Sequence, residues 1–252
     1  MKKIYFYLIS LFILFSIQDL KSQNSSEVFL INQDIFDKIS LFKGESITGD
    51  YKYEKRSDSK RGILNYLNDS LGNILGIMIK ANLSICTDGS PDDIQENCTY
   101  SELECVDQNY ISETAYSLND KPLNADKISY LVLPGHERPR PYSDWGFKKG
   151  DIGVIINMDN NENKLIFAIF GEVGPNDQVG EASIYASKKL GHCPCNGRNR
   201  NLASINDNVY YIVFRNTKNE LLQMNINQNN LNQKITELGL KKMKEYFNIE
   251  LE

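Results

Sequence analysis

Several residue types on which common active sites depend are scarce in this chain. Its 252 residues include two histidines, His136 and His192, and one tryptophan. Neither histidine lies in a recognisable nucleophile–base–acid pattern, so a histidine-dependent triad has little support. Gly171, Gly174 and Gly180 do not have the spacing of a phosphate loop or of a dinucleotide fingerprint. Carboxylates are the remaining candidates for catalytic chemistry.

The sequence also lacks an excess of positive charge. It has 28 basic and 33 acidic residues and a formal charge of −5, so nucleic acid is not an expected partner and a cationic ligand is permitted. With 24% charged and 41% hydrophobic residues, the composition is that of an ordinary globular protein. A disordered, collagen-like or coiled-coil protein is therefore excluded.

Only one long apolar run occurs, at the very start of the sequence. Lys2 and Lys3 precede the stretch 4–17, which is too short to span a bilayer and has the order of a secretory signal peptide. We expect residues 1–22 to be removed after Ser22, although Leu20 is not the small residue that such a site prefers. Loss of three lysines and one aspartate leaves 25 basic and 32 acidic residues, or −7. The prediction is a secreted or periplasmic protein, and a retained membrane anchor is the alternative.

Five cysteines remain after that cleavage. In an oxidising compartment they favour disulfides, and an odd number leaves one cysteine unpaired. Cys86, Cys98 and Cys105 lie in one loop-like region, which favours a local bridge among them. Cys193 and Cys195 are separated by one residue, which is neither the zinc-knuckle nor the thioredoxin-like spacing.

Hydrophobic patterning predicts a mainly β (α+β) domain with a few helices. The helices are too few and too irregularly placed for a doubly wound parallel sheet. Residues 86–125 have no clear period and predict a long loop region, and 51–73 are polar and charged. The predicted elements are a short helix within 28–42, strands at 74–85, 128–133, 151–156, 164–170 and 209–214, a helix at 182–190 and a terminal helix carrying Ile235, Leu238, Met243 and Phe247. The neighbouring strands predicted at 151–156 and 164–170 are expected to pair as a hairpin.

One pair of acids stands out in this pattern. Glu172 is predicted at the end of a strand and Glu181 at the start of a helix, with glycines beside both and a tight turn between them. Two carboxylates on one rim suit general acid and base catalysis across a glycosidic bond. The structural alternative is that Glu181 complements a helix dipole and that Gly174 and Pro175 form an ordinary turn.

The region around these acids resembles the signature of the glycoside hydrolase family 75 chitosanases. In that signature a strand ending in Gly-Asp is followed nine residues later by the Glu of a Gly-Glu-(Ala/Gly)-Ser helix start. The matching positions here are Gly171-Glu172 and Gly180-Glu181-Ala182-Ser183. The resemblance extends in order over residues 75–215, through Asp88-Gly89-Ser90, Tyr130-Leu-Val-Leu-Pro-Gly135, Gly150-Asp151-Ile-Gly-Val154 and Val209-Tyr-Tyr-Ile-Val-Phe214.

The resemblance implies endo-hydrolysis of chitosan, a β-1,4-linked glucosamine polymer, with inversion at the anomeric carbon and no cofactor. It implies Glu181 as general acid and Glu172 as base. The family has Asp where this sequence has Glu172, and one extra methylene displaces a carboxylate by about 1.5 Å, which is enough to disturb a positioned base. A helix N-terminus lowers the pKa of a nearby acid, and this favours the opposite assignment of roles.

Other residues are candidates for substrate binding. Four aspartates could hold ammonium groups, and Trp145, with Tyr142 and Phe147, could stack on sugar faces. The aspartates are Asp88, Asp144, Asp151 and Asp177. Aspartate is also common in turns and caps, and an aromatic loop is equally a core anchor.

Together these features predict one hydrolase-like domain at 23–252, with an N-terminal extension at 23–73. By analogy with other inverting glycosidases we expect a β-barrel core with peripheral helices, of the double-psi type. The expected partner is a polysaccharide, and the expected state is a monomer without metal, nucleic acid or, after cleavage, membrane. A non-catalytic carbohydrate-binding protein and a hydrolase of another amino-sugar polymer, such as peptidoglycan, are the alternative functions.

Overall fold

Strands dominate the part of the chain that the computed structural model describes, which is residues 27–53, 60–90, 111–158, 163–191 and 204–251. The strands are β1 (Val28–Leu30), β2 (Lys43–Ser46), β3 (Lys52–Tyr53), β4 (Ile63–Asn68), β5 (Ile74–Cys86), β6 (Ser117–Leu118), β7 (Lys121–Pro122), β8 (Tyr130–Pro134), β9 (Ile152–Asn157), β10 (Lys164–Gly174), β11 (Gln178–Val179), β12 (Glu181–Ser183) and β13 (Ser204–Phe214). The helices are α1 (Gln33–Ser40), α2 (Pro141–Asp144), α3 (Ile184–Lys189), α4 (Lys218–Leu222) and α5 (Leu231–Phe247).

Six of these strands close into a barrel. Their order is β12, β8, β10, β9, β13 and β5, and β5 pairs again with β12 to complete the ring. The β8–β10 and β5–β12 pairs are parallel, and the other four are antiparallel. A closed ring leaves no free strand edge among its members. The expected single-domain β-barrel core with peripheral helices is confirmed, and the double-psi subtype stays a prediction.

Side-chain alternation separates the inside of the barrel from its outside. On β10, Ala168 and Phe170 belong to a buried cluster to which all six ring strands contribute. Phe167 and Ile169 belong to a second cluster, which also contains residues of α1 and α5. Because alternate residues of a strand share a face, the first cluster fills the barrel and the second lies under the helices that cover it.

Most of the expected elements are present within the described residues. The predicted hairpin is confirmed by the antiparallel pairing of β9 with β10, in which Ile155 lies opposite Ile166. The terminal helix is confirmed as α5, and its four marker residues are all buried. The short helix expected within 28–42 is present as α1, which is capped by the side chain of Asn32, and the residues before it form β1, which pairs with β10.

The polar stretch at 51–73 contains strands that the pattern did not predict. β4 pairs with β5 and buries Leu64 and Leu67, and β2 pairs with β4 at the edge of the sheet. β1 and β3 also hydrogen-bond to later strands. The segment set apart as an N-terminal extension therefore contributes strands to the same sheet as the barrel.

Cys86 is a buried free thiol. Burial is the main reason that its pKa is raised well above the ordinary value, and the carboxylates of Glu181 and Asp88 add to this. A thiol in that state is unreactive. The other four cysteines, His192 and the expected signal peptide lie outside the described residues. Within the described residues, no helix has the length and apolar character that crossing a membrane would require.

Candidate active site

Glu172 reaches the outer face of the barrel through a β-bulge. Between β10 and β8, Phe170 lies opposite Leu131 and Glu172 lies opposite Val132, so Gly171 is an extra residue in the ladder. Without it, strict alternation would point Glu172 into the barrel. A bulge re-aims the side chains that follow it, and here it brings the carboxyl group to the same face as Val132.

The bulge leaves no space for a side chain at Gly171. A Cβ atom there would lie 2.7 Å from Cβ of Tyr130 and 2.8 Å from Cδ1 of Leu123. Both neighbours are fully buried, so neither can move aside without disturbing the core. Glycine at this position is therefore a packing requirement for the orientation of Glu172.

Replacing Gly171 with alanine is expected to lower the free energy of unfolding by about 1–3 kcal/mol, as overpacking does. If Glu172 takes part in catalysis, we also expect this substitution to lower the reaction rate of the folded fraction, because Tyr130 and Glu172 must both shift. Denaturant unfolding and the rate constant on a soluble substrate measure the two effects. Gly72→Ala, on the exposed turn between β4 and β5, is the control. Alanine at the positive φ of this position lowers the free energy of unfolding by about 1 kcal/mol, and the residue lies away from the site. Full activity in folded Gly171→Ala would contradict this interpretation.

Glu181 begins the short strand β12 and does not begin a helix. The helix starts three residues later at Ile184, where the Ser183 side chain caps it by accepting from the Ala186 N–H. The predicted helix start at 182 was therefore slightly early, because Glu181–Ser183 pair with β5. Gly180, with φ of 102°, turns the chain into β12 and packs against Asn82.

The two glutamates lie in one row across three strands. Glu172 is opposite Val132 on β8, and the antiparallel pairing of Ala182 with Leu131 brings Glu181 to the level of Val132 on its other side. Adjacent strands are about 4.8 Å apart, so the two Cα atoms are separated by about 10 Å. Oε2 of Glu181 reaches to 4.0 Å from the position that a Cβ on Gly174 would occupy, two residues beyond Glu172 on β10. Both carboxyl groups therefore lie over the same stretch of β8.

The carboxyl group of Glu172 is buried and held by the backbone. Its side chain is 6% exposed. Oε2 accepts from the Ala115 N–H at 2.7 Å, and Oε1 accepts from the Val173 N–H at 2.6 Å. Burial is the main reason that the pKa of Glu172 is raised to about 7, and the negative charges of Asp88 and Glu181 act in the same direction, against those two hydrogen bonds. An acid with this pKa holds its proton in mildly acidic solution.

Asp88 is the third acid of this cluster. It follows β5, is partly buried, and accepts from the Ile111 N–H at 3.0 Å. The buried Tyr130 hydroxyl donates to the Asp88 carbonyl oxygen at 2.9 Å and thereby ties this loop to β8. Asp88 is thus an expected substrate-binding residue that lies close enough to Glu172 for its negative charge to raise the pKa of that acid.

The other expected substrate-binding residues lie apart from this cluster. Asp151 is fully buried and accepts from the backbone N–H groups of Lys148 and Lys218, which gives it a structural role. Burial raises the pKa of Asp151. Asp144 is exposed on α2.

The expected aromatic stacking platform is buried. Trp145 is 6% exposed and packs edge-on against Tyr51, with ring centroids 5.5 Å apart. Tyr142 and Phe147 are buried in the same cluster. The position of this aromatic loop fits the core-anchor alternative better than the stacking role.

Two adjoining cavities form a groove beside Glu172. The first, about 280 Å³, is lined by Glu172, Ala115, His136, Arg140 and Lys149 among others. The second, about 430 Å³, shares His136 and Val173 with it and continues to Asn176 and Asp177. At that end Asp177 forms an ion pair of 2.9 Å with Lys52, and the hydrogen bond from Lys52 lowers the pKa of Asp177.

Sequence reasoning missed the basic residues of the groove. His136 and Arg140 follow β8 in the run Gly135-His-Glu-Arg-Pro-Arg-Pro141, directly after the strand that separates the two glutamates. Lys149 lies near Glu172 because the N–H of the next residue, Gly150, donates to the Phe170 carbonyl oxygen, beside the bulge. The sequence signal that could have identified His136 and Arg140 is the cluster of charged residues directly after the strand predicted at 128–133. Within the described residues, no group of histidine, cysteine and acidic side chains could hold a metal ion.

A barrel that carries two buried carboxylic acids in one row, one of them in the wall of an open groove, is compatible with a glycoside hydrolase site. Comparison with protein families agrees, because residues 83–245 match the family of fungal chitosanases of glycosyl hydrolase group 75. The match covers well over half of the chain, which therefore belongs to this family. The expected family is confirmed, and the matched region begins and ends later than the expected 75–215. A comparison with curated proteins finds no match.

Proposed function

We propose that this protein is an exported endo-acting glycosidase that cleaves β-1,4 linkages in chitosan or a related amino-sugar polymer. The single observation that carries the proposal is the row of Glu172, Val132 and Glu181, in which two carboxyl groups lie on either side of one strand. Inverting glycosidases hold their two carboxyl groups about 6.5–9.5 Å apart, which leaves room for the attacking water. A row two strand spacings wide is compatible with that separation.

In the proposed reaction, Glu172 protonates the glycosidic oxygen and Glu181 removes a proton from the water that attacks the anomeric carbon. The bond between that carbon and the leaving oxygen breaks as the bond to water forms. Support for this assignment is the burial of Glu172 and its pKa of about 7, which keep it protonated in mildly acidic solution. It is the reverse of the assignment that the family resemblance implies.

The export part of the proposal depends on the charged and apolar residues 1–22. A signal of this kind would deliver the chain to a compartment in which a polysaccharide is accessible. Mass measurement of the protein recovered from the medium or periplasm tests this, and a chain that keeps residues 1–22 would contradict it.

Incubation with a chitosan hexamer tests the proposed reaction. We expect internal cleavage products by mass spectrometry, and freshly formed α-anomers by NMR, because inversion of a β-linkage gives the α-configuration. Release of β-anomers would rule out inversion. Absence of cleavage of every β-1,4 amino-sugar polymer offered would rule out the enzymatic proposal.

A non-catalytic carbohydrate-binding protein is the second candidate, and the glutamate at position 172 is the observation that favours it. The family resemblance expects aspartate there, whose shorter side chain sets a different carboxylate position. Glu172→Asp separates the two functions. If the wild type binds chitosan oligomers without cleaving them and the variant gains activity, the binding function replaces the enzymatic one.

A further inference from the structure

Cationic side chains that a polyamine substrate does not need line the first of the two cavities beside Glu172. Arg140 is exposed and Lys149 is partly buried on the wall of the 280 Å³ cavity, and His136 lies on the same wall. Within the described residues, neither Arg140 nor Lys149 forms an ion pair. The acids that line this cavity are the buried Glu172 and the exposed Glu113.

These charges are poorly suited to the ammonium groups of chitosan. Two like charges about 4 Å apart repel by about 1 kcal/mol in water and by more in a partly buried site. An arginine and a lysine that line one cavity instead suit a carboxylate, which arginine binds through two parallel hydrogen bonds. The cavity also lies directly beside the proposed proton donor, so its occupant would be a substituent of a sugar at the cleavage point.

We propose that this cavity is a specificity subsite for a carboxylate-bearing sugar unit within a β-1,4-linked amino-sugar polymer, with Arg140 and Lys149 as the residues that bind the carboxylate. The inference rests on the proposed glycosidase function and names its substrate more closely. The carboxylate can come from an ether-linked lactyl group, as on peptidoglycan strands, or from a carboxyl group carried near C6. In either case the same two side chains neutralise it.

Paired substrates that differ only in charge test the subsite. Peptide-free peptidoglycan strands and the same strands with their lactyl carboxylates amidated form one pair, and 6-O-carboxymethyl chitosan oligomers and their amidated form are the other. We expect wild-type kcat/KM to be about 10- to 100-fold higher on the carboxylate member of at least one pair, which is the range for a charged hydrogen bond. The pair that shows the preference identifies the source of the carboxylate.

Variants connect that preference to the two side chains. Arg140→Gln combined with Lys149→Gln is expected to reduce the carboxylate-to-amide ratio to near one, mainly through a lower kcat/KM on the carboxylate member of the pair. Lys148→Gln is the matched control, because Lys148 is exposed next to Lys149 and does not line the cavity. An equal wild-type rate on both members of each pair would overturn the subsite, and so would a ratio that the double variant leaves intact.

Binding measurements separate failure of the subsite from failure of the proposed function. Calorimetric titration of the full chain with the same paired strands needs no catalysis. Tighter binding of the carboxylate form, lost in the double variant, would support the subsite even if no polymer were cleaved. Equal binding of both forms by a chain that cleaves chitosan would overturn the subsite and leave the glycosidase function standing.

Discussion

Replacing Glu172 or Glu181 with glutamine lowers kcat/KM on chitosan oligomers by about 100- to 10,000-fold, the contribution typical of one general acid or base. Each substitution keeps the side-chain length and removes the ability to exchange a proton. Because both residues are more than nine-tenths buried, each glutamine stays in nearly the same position. Glu45→Gln, an exposed glutamate of β2, is the control and is expected to keep the wild-type rate. A wild-type rate in either site variant would remove that residue from the reaction.

An activated substrate distinguishes the acid from the base. An aryl glycoside of a chitosan oligomer, with a dinitrophenol leaving group, needs no protonation of the departing oxygen but still needs an activated water. We therefore expect Glu172→Gln to recover most of the wild-type rate on this substrate, whereas Glu181→Gln remains inactive. Recovery in Glu181→Gln alone would restore the assignment that the family resemblance implies.

The free energy of unfolding is expected to fall as pH rises from about 4.5 to about 7, by up to about 3 kcal/mol from Glu172 alone. The pKa of this acid is 4.5 as a free side chain and about 7 in the fold. Between these values the folded chain holds a proton that the unfolded chain has lost, so stability decreases with pH in that window and becomes level above it.

Urea unfolding at several pH values from 4.5 to 8.5 measures this effect. The decisive quantity is the difference in slope between the wild type and Glu172→Gln, because other groups, including the buried Asp151, contribute equally to both. Glutamine offers one acceptor to the N–H groups of Ala115 and Val173, where the carboxyl group offers two, so its overall stability is expected to be shifted by a constant amount. Parallel curves for the two proteins would contradict the raised pKa of Glu172.

If the pH prediction holds, the site is maintained at a cost to the fold. A buried acid that ionises only near neutrality destabilises the native state at pH values above its unfolded-state pKa, because the unfolded chain has already lost its proton there. Such conflicts between stability and local environment are characteristic of functional positions. The pH dependence of stability and the pH dependence of activity therefore both report the pKa of Glu172 in the folded protein.

The positions of the main barrel strands and the candidate acid pair could be predicted from the sequence because their signals are local. The apolar runs at 128–133, 151–156 and 164–170 each became a barrel strand, and the polar turn between the last two became a hairpin. The fixed spacing of Glu172 and Glu181 within a glycine-rich run pointed to the family that the comparison confirmed.

The stretch at 51–73 shows where local signals fail. β4 carries only two fully buried apolar side chains, Leu64 and Leu67, among polar neighbours. It is a strand because residues 74–80 of β5, which lie before the part of β5 that pairs with β12, pair with it, and that condition is set elsewhere in the chain. The same reasoning applies to Trp145, whose burial depends on Tyr51 from a distant segment.

By itself, then, the sequence determined a mainly β chain with two glutamates in the spacing of a glycosidase family. Only the tertiary structure decided how those glutamates are used. The bulge at Gly171 turns Glu172 outward, and Ala115 holds its carboxyl group from 57 residues away. Arg140 and Lys149 line the adjoining cavity. Orientation, burial and charge at a site depend on contacts between distant segments, and a pattern read along one strand contains none of them.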